Sequence, residues 1–235
     1  VTHPRTSIAE NIERVRERIA KAAERAERRT DDIALVAVSK TFPAEDVREA
    51  YAAGVRHFGE NRVQEWEGKR AAIADLQATL HLIGHLQSNK TKRAARLFDR
   101  VDSVDSAGLA QKLHSAASEE GKRLPVLIEV RLSDEPAKSG ASGSDLLPLA
   151  ESVIALPSLE LLGLMTIPPY FEDPQQARPY FKKLRELRDS LRRALDYPLP
   201  VLSMGMSHDF EAAIEEGATE IRVGSAIFGK RGSQD

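Results

Sequence analysis

Lys40 closes an apolar run, Ile33-Ala34-Leu35-Val36-Ala37-Val38, at the tripeptide Ser39-Lys40-Thr41. The run is short, rich in β-branched residues and stopped by Phe42-Pro43, which is the pattern of a fully buried strand. An ammonium at the end of such a strand is costly to desolvate. Burial there would lower its pKa from ~10.4 and leave a nucleophilic amine that forms Schiff bases with aldehydes. Taken alone, Lys40 has a plainer reading as a snorkelling lysine with its head in water. Far along the chain, Arg222, Gly224 and Ser225 end another short apolar run, and Ser203 and Ser207 flank the turn before it. Gly224 admits backbone N–H groups close to a ligand, Ser207 and Ser225 carry hydroxyls, and a helical turn starting at Ala226 would aim its N–H groups at an anion. A simple tight turn is the plainer reading of Gly224-Ser225. Together, an amine and a phosphate cradle suit a phosphorylated aldehyde held as a Schiff base: pyridoxal phosphate, or a sugar phosphate in an aldolase.

Such residues act together only if the fold gathers them. Ser7-Ile8-Ala9-Glu10 has the form of a capping box, and Ile8, Ile12, Val15 and Ile19 recur at helical spacing. An amphipathic helix is therefore predicted over residues 7–29. Strands are predicted over 33–38, 55–58, 80–83, 100–104, 125–131, 159–167, 199–203 and 220–223. The helices between them are predicted near 44–53, up to Leu76, and near 90–97, 107–120, 145–156, 174–195 and 209–216. Strands that alternate with helices imply parallel pairing with crossover helices. Eight such units in 235 residues predict a (β/α)₈ TIM barrel over 33–229, of the α/β class, with the extra helix before it. A doubly wound open sheet is the alternative. No composition shift or linker starts a second domain, so residues 1–235 are read as one. Barrel sites gather at the C-terminal strand ends, and phosphate often binds after strands seven and eight. Lys40, Glu60-Asn61, His85, Gln87, Ser88, Asn89, Met165-Thr166, Ser203, Ser207, Arg222, Gly224 and Ser225 all fall at such ends.

Composition narrows the classes further. A net charge of -2 gives no reason to expect a nucleic-acid or anionic-membrane partner. The absence of cysteine excludes disulfides, thiol catalysis and thiolate metal sites. No apolar stretch is long enough to span a bilayer and no signal-peptide core opens the sequence, so a cytoplasmic protein is expected.

Several longer segments carry a resemblance. They are Val36-Ala37-Val38-Ser39-Lys40, His57-Phe58-Gly59-Glu60-Asn61, His81 through Lys90 (HLIGHLQSNK), Lys138-Ser139-Gly140, Gly163-Leu164-Met165-Thr166-Ile167, Leu202 through Ser207 (LSMGMS) and Ile221 through Gly229 (IRVGSAIFG). In this order, from about Ile33 to Gly229, they resemble the pyridoxal phosphate homeostasis protein family. That family is similar to the N-terminal barrel domain of alanine racemase, of fold type III. The resemblance implies that Lys40 carries pyridoxal 5'-phosphate as an internal aldimine. It implies that Ser207, Gly224 and Ser225 hold the phosphate with Ser203 or the Met204 backbone, that Arg222 faces the pyridine nitrogen, and that Asn61 and Met165 line the ring. Many members carry Thr at the position of Ser225, which keeps the hydroxyl, and Trp at the position of Leu80, which bears only on local packing.

Arginine stays charged and only donates, so beside the ring nitrogen it disfavours a pyridinium and weakens the electron sink. Racemisation needs a base on each face. Lys40 serves one, and by the resemblance the other comes from a second domain that this sequence is not expected to carry. Of Tyr51, Tyr170, Tyr180 and Tyr197, only Tyr170 is expected near the barrel mouth. The expectation is a carrier that holds the cofactor reversibly, buffers a reactive aldehyde and passes it on through transient contact with apoenzymes. The alternatives are a pyridoxal-phosphate-dependent amino-acid racemase, a lysine-dependent aldolase and a scaffold barrel. Lys138 is a candidate second acceptor, against a plainer reading as a solvated loop lysine. His81 and His85 have metal-like spacing, but Gly84 between them argues against a shared face, and no metal is expected. Asp209 is read as a helix cap rather than as the partner of His208. Trp66 is assigned to the buried face of a helix, and Phe171, Tyr180 and Phe181 to a barrel–helix interface.

Overall fold

In the computed structural model, which describes residues 7–133 and 139–229, the short apolar runs are parallel strands closed on themselves. The strands are β1 Ala34–Val38, β2 His57–Glu60, β3 Thr79–Leu82, β4 Arg100–Val104, β5 Leu124–Glu129, β6 Leu159–Met165, β7 Val201–Met206 and β8 Glu220–Val223. They pair in sequence order, and β8 returns to β1 through the register Ala34↔Glu220 to Ala37↔Val223. This is the (β/α)₈ barrel, not the open sheet. The helices are α1 Ile8–Arg25, α2 Ala44–Ala52, α3 Val63–Lys69, α4 Thr91–Leu97, α5 Ala107–Glu119, α6 Leu146–Ile154, α7 Arg178–Leu195, α8 Phe210–Glu215 and α9 Ser225–Phe228. Their apolar faces bury Val47, Trp66, Leu113, Leu149, Phe181 and Phe210. Closure leaves no unpaired strand edge, so every strand sits between two neighbours.

Helix α1 begins with the expected capping box: Ser7 Oγ accepts from Glu10 N–H at 3.2 Å and Ser7 N–H donates to a Glu10 carboxylate oxygen at 3.0 Å. It ends at Arg25, four residues earlier than periodicity predicted. Glu27 turns left-handed at φ 52, Arg28 N–H donates to Ala23 O at 2.9 Å and Glu27 N–H to Glu24 O at 3.0 Å. That is a Schellman stop without glycine. The helix crosses the β8–β1 seam. Arg18 pairs with Glu211 through two bonds of 2.8 and 2.9 Å, and Asn11 Nδ2 donates to Ile227 O at 2.8 Å, tying α1 to α8 and α9.

Other boundaries shift by a few residues. The predicted helix over 174–195 is a 3-10 turn, Pro174–Ala177, followed by α7. Strand β5 stops at Glu129 and β6 at Met165, two residues short of prediction in each case. Strand β7 runs on to Met206, three residues further than predicted.

A charged network crosses the barrel interior. Arg100 on β4 donates to Asp102 at 2.6 and 2.8 Å and to Glu220 on β8 at 2.6 Å. Since β4 and β8 are opposite in the strand order, this bond spans the lumen. Burial alone would raise the Asp102 carboxyl. The Arg100 charge and a hydrogen bond with His81 outweigh it and hold the group well below the usual carboxylate range. His57 Nδ1 lies 3.1 Å from His81 Nε2, and burial, with the neighbouring His81, pushes the His57 pKa down.

Candidate functional site

Lys40 stands just beyond β1, in a turn rather than in the strand, and is half-buried. Three contacts fix the turn. Ser39 N–H continues the strand pairing to Gly59 O at 3.1 Å, Phe42 N–H donates to Ser39 O at 3.1 Å, and Thr41 N–H donates to Glu65. Thr41 is left-handed at φ 68, a strained conformation for a β-branched residue that these bonds hold in place. Beneath it, Ser39 Oγ donates to Glu60 at 2.7 Å, and Lys69 Nζ donates to Ser39 O at 2.8 Å and to Glu60 at 2.9 Å. Burial raises the Glu60 carboxyl while Lys69 and Ser39 pull it back. The backbone on which Lys40 rides is therefore pinned by two side chains of α3, Glu65 and Lys69.

Beside it, on the strands that close the barrel against β1, β7 and β8 build a turn with converging N–H donors. Ser207 Oγ accepts from Gly224 N–H at 3.1 Å and Ala226 N–H at 3.3 Å, so these donors converge on one point. Asp209 shapes the same turn by accepting from Met206 N–H at 2.6 Å. It occupies the N-cap position of α8 but makes no side-chain bond to the helix, so its role is to lock the preceding turn rather than to cap. His208 does not pair with it; His208 Nε2 faces Phe171 O and Glu172 O at 3.1 and 3.0 Å. Gly205, at φ 92, packs so closely on α8 that a Cβ would lie 2.9 Å from Phe210 Cα.

Between the two walls lies a cavity of about 620 Å³. Lys40, Asn61, Ser207, Arg222, Gly224 and Ser225 all line it, together with His85, Glu129, Ser139 and Ile167. Its size suits a small cofactor. Arg222 is 3 % exposed and fixed at both ends of its guanidinium, Nη1 donating to Ser203 Oγ at 2.7 Å and Nη2 to Thr166 O at 2.8 Å. Burial pulls its pKa down, and Glu220, Asp102, Asp209 and Glu129 push it back.

Two of the residues assigned to the cofactor are not on the cavity wall. Ser203 lies beneath, as the acceptor that aims Arg222, and Met165 is fully buried at the end of β6, in register with Ser203. Ile167, two residues on, takes the wall position. Lys138 lies outside the described residues. His81 and His85 do not meet: His81 is inside the barrel against Asp102, and His85 lines the cavity, its Nδ1 3.5 Å from Asp105. His81, Asp102 and Glu220 come within 4.8 Å of one another, but Arg100 already donates to both carboxylates. Tyr170 is 77 % exposed and tilts against His208, which lines the cavity, without lining it itself. The wall residue that escaped the sequence reading is Glu129, whose one signal was a lone charge in the run Leu124–Val130.

The chain matches the family model described as alanine racemase, N-terminal domain, over residues 7–232. It is 48% identical over 222 residues, covering 94% of this chain and 97% of the relative, to the pyridoxal phosphate homeostasis protein of Aquifex aeolicus. The chain belongs to the pyridoxal phosphate homeostasis protein family. A second member of that family, from Pseudomonas aeruginosa, is 48% identical over 226 residues, with 96% of each chain covered. Among solved structures, PipY of Synechococcus elongatus with PLP bound superposes at a TM-score of 0.84 with 38% identity, covering 95% of this chain and 100% of that one. Seen against the pyridoxal phosphate homeostasis protein family, the donors here suit its cofactor: an amine after β1, converging N–H groups beside it after β8, and a fixed cation on β8, all on one cavity. No helix among the described residues is long and apolar enough to cross a membrane.

Proposed function

We propose that this chain binds pyridoxal 5'-phosphate through a Schiff base at Lys40, keeps the cofactor in reserve and yields it to enzymes that need it. One observation carries the reading: Lys40 and the Ser207–Gly224–Ser225 cradle share one cavity. The names of its relatives and the PLP-bound state of PipY support it. When bound, the cofactor supplies a reactive aldehyde and a ring that withdraws electrons best with its nitrogen protonated. Gly224 and Ala226 N–H, with the Ser207 and Ser225 hydroxyls, bind the phosphate. Arg222, held by Ser203 and Thr166, would meet the ring nitrogen as a donor that keeps its own proton, and Asn61 lines the same cavity as Lys40. A permanent donor at that nitrogen suits holding better than carbanion chemistry. The half-buried turn at Lys40 leaves the amine within reach of the cavity mouth, where a recipient protein can receive the aldehyde by transient contact.

The test is borohydride trapping. The protein is incubated with pyridoxal phosphate, reduced and mapped by mass. Label on the peptide carrying Lys40, absent in Lys40→Ala, is the expected result; no visible band and no label at Lys40 would overturn the reading.

A further inference from the structure

Glu129 ends β5 on the wall facing Lys40, since β5 is opposite β1 in the closed strand order. It is 7 % exposed and lines the cavity. Its backbone carbonyl accepts from Ala141 N–H at 2.8 Å, but among the described residues its carboxylate takes no hydrogen bond and no ion pair. The titratable groups that act on it are Asp105, Arg222 and His85. Arg222 gives its terminal nitrogens to Ser203 and Thr166, and His85 turns its Nδ1 to Asp105. The Arg222 guanidinium and the His85 Nδ1 are thus engaged elsewhere. Burial and the Asp105 charge push the Glu129 carboxyl up, against the pull of Arg222 and His85. A carboxylate left unpartnered beside a cavity costs free energy that a ligand cation with N–H donors would relieve.

We propose that Glu129 anchors the ammonium group of a small primary amine, making the β5 side of the cavity an amine subsite. Its chemistry selects an ammonium over a hydroxyl or a thiol, because only the cation both neutralises and hydrogen-bonds the acid. The subsite places an incoming amine in the same cavity as Lys40: on giving one proton to the Glu129 carboxylate the ammonium would become a free amine, bond to the aldehyde carbon as that carbon's bond to Lys40 Nζ breaks, and leave the proton to the released Lys40 amine. That role rests on the cofactor reading above; the ammonium site itself does not.

Two measurements separate these. Thermal unfolding of the cofactor-free protein is followed in methylammonium chloride against matched potassium chloride. The melting temperature is expected to rise with methylammonium in the native chain and in Glu129→Asp, and not in Glu129→Gln. An equal rise in Glu129→Gln, or none in the native chain, overturns the proposal. Then, at matched cofactor content, glycine is titrated while the visible band is followed. Loss of a charge-assisted contact should raise the half-saturating glycine concentration about tenfold or more in Glu129→Gln; equal values overturn the proposal. If Lys40 takes no label, the cofactor reading fails and the methylammonium result still decides the ammonium site.

Discussion

Ser207 holds its cradle ready by occupying it, because the N–H groups that would meet a phosphate already point at its hydroxyl. Its removal takes away one ligand group and the atom that keeps the donors converged. Ser207→Ala should weaken retention of pyridoxal phosphate by roughly tenfold, equivalent to about 1.4 kcal/mol. Equilibrium dialysis at several cofactor concentrations measures this, with Lys40 labelling restored at excess cofactor. Most wall residues were legible in the sequence because they sit at strand ends, where a polar residue interrupts an apolar run. The resemblance implied Ser203 and Met165 as cofactor contacts; β7 extends past Ser203 to Met206, which leaves Ser203 beneath Arg222, and Met165, though it ends β6, turns into the core while Ile167 lines the cavity. Glu129 was hidden because the strand was read on to Arg131, which made its acid an interior position.

Among the elements, β3, β4 and β8 share the charge network, which amphipathic patterning does not encode. Alternation of apolar residues predicted that these strands exist, and the β4 and β8 spans were predicted to the residue, but nothing in the pattern says that Arg100 and Glu220 join across the lumen. Arg100→Met would strand Asp102 and Glu220 without their counterion. A cost of about 3–5 kcal/mol is expected, read as a lower urea midpoint. The same network sets an acid dependence. The Asp102 pKa is lower folded than unfolded, so its contribution is fully present above the unfolded value, about 3.9, and is lost as pH falls through the folded one. Urea midpoints measured downward from pH 6 should fall below pH 4 in the native chain, and less steeply in Asp102→Asn. The helix ends that prediction missed have local causes. The left-handed Glu27 ends α1 by bonds that a hydrophobic repeat does not reveal, and Asp173 Oδ1 accepts from Gln175 N–H at 3.0 Å to start the 3-10 turn before α7.

For the molecule as a whole, the order of the strands decides what the cavity can do. Its walls carry an amine on β1, an acid on β5 and a fixed cation on β8, and among the described residues no tyrosine lines them. A holding function predicts that the loaded protein, incubated with L-alanine in heavy water, accumulates no D-alanine over hours; chiral chromatography reads the product, and steady turnover would favour the racemase. The pairing of β8 with β1 has a consequence for biosynthesis. Lys40 leaves the ribosome long before Gly224 and Ser225, by roughly 10–40 s at ordinary translation rates. During that interval the amine exists without the turn proposed to hold the phosphate, and the α1–α9 tie through Asn11 and Ile227 has yet to form. On the proposed function, discrimination among aldehydes is therefore absent from the nascent chain and arrives with β8.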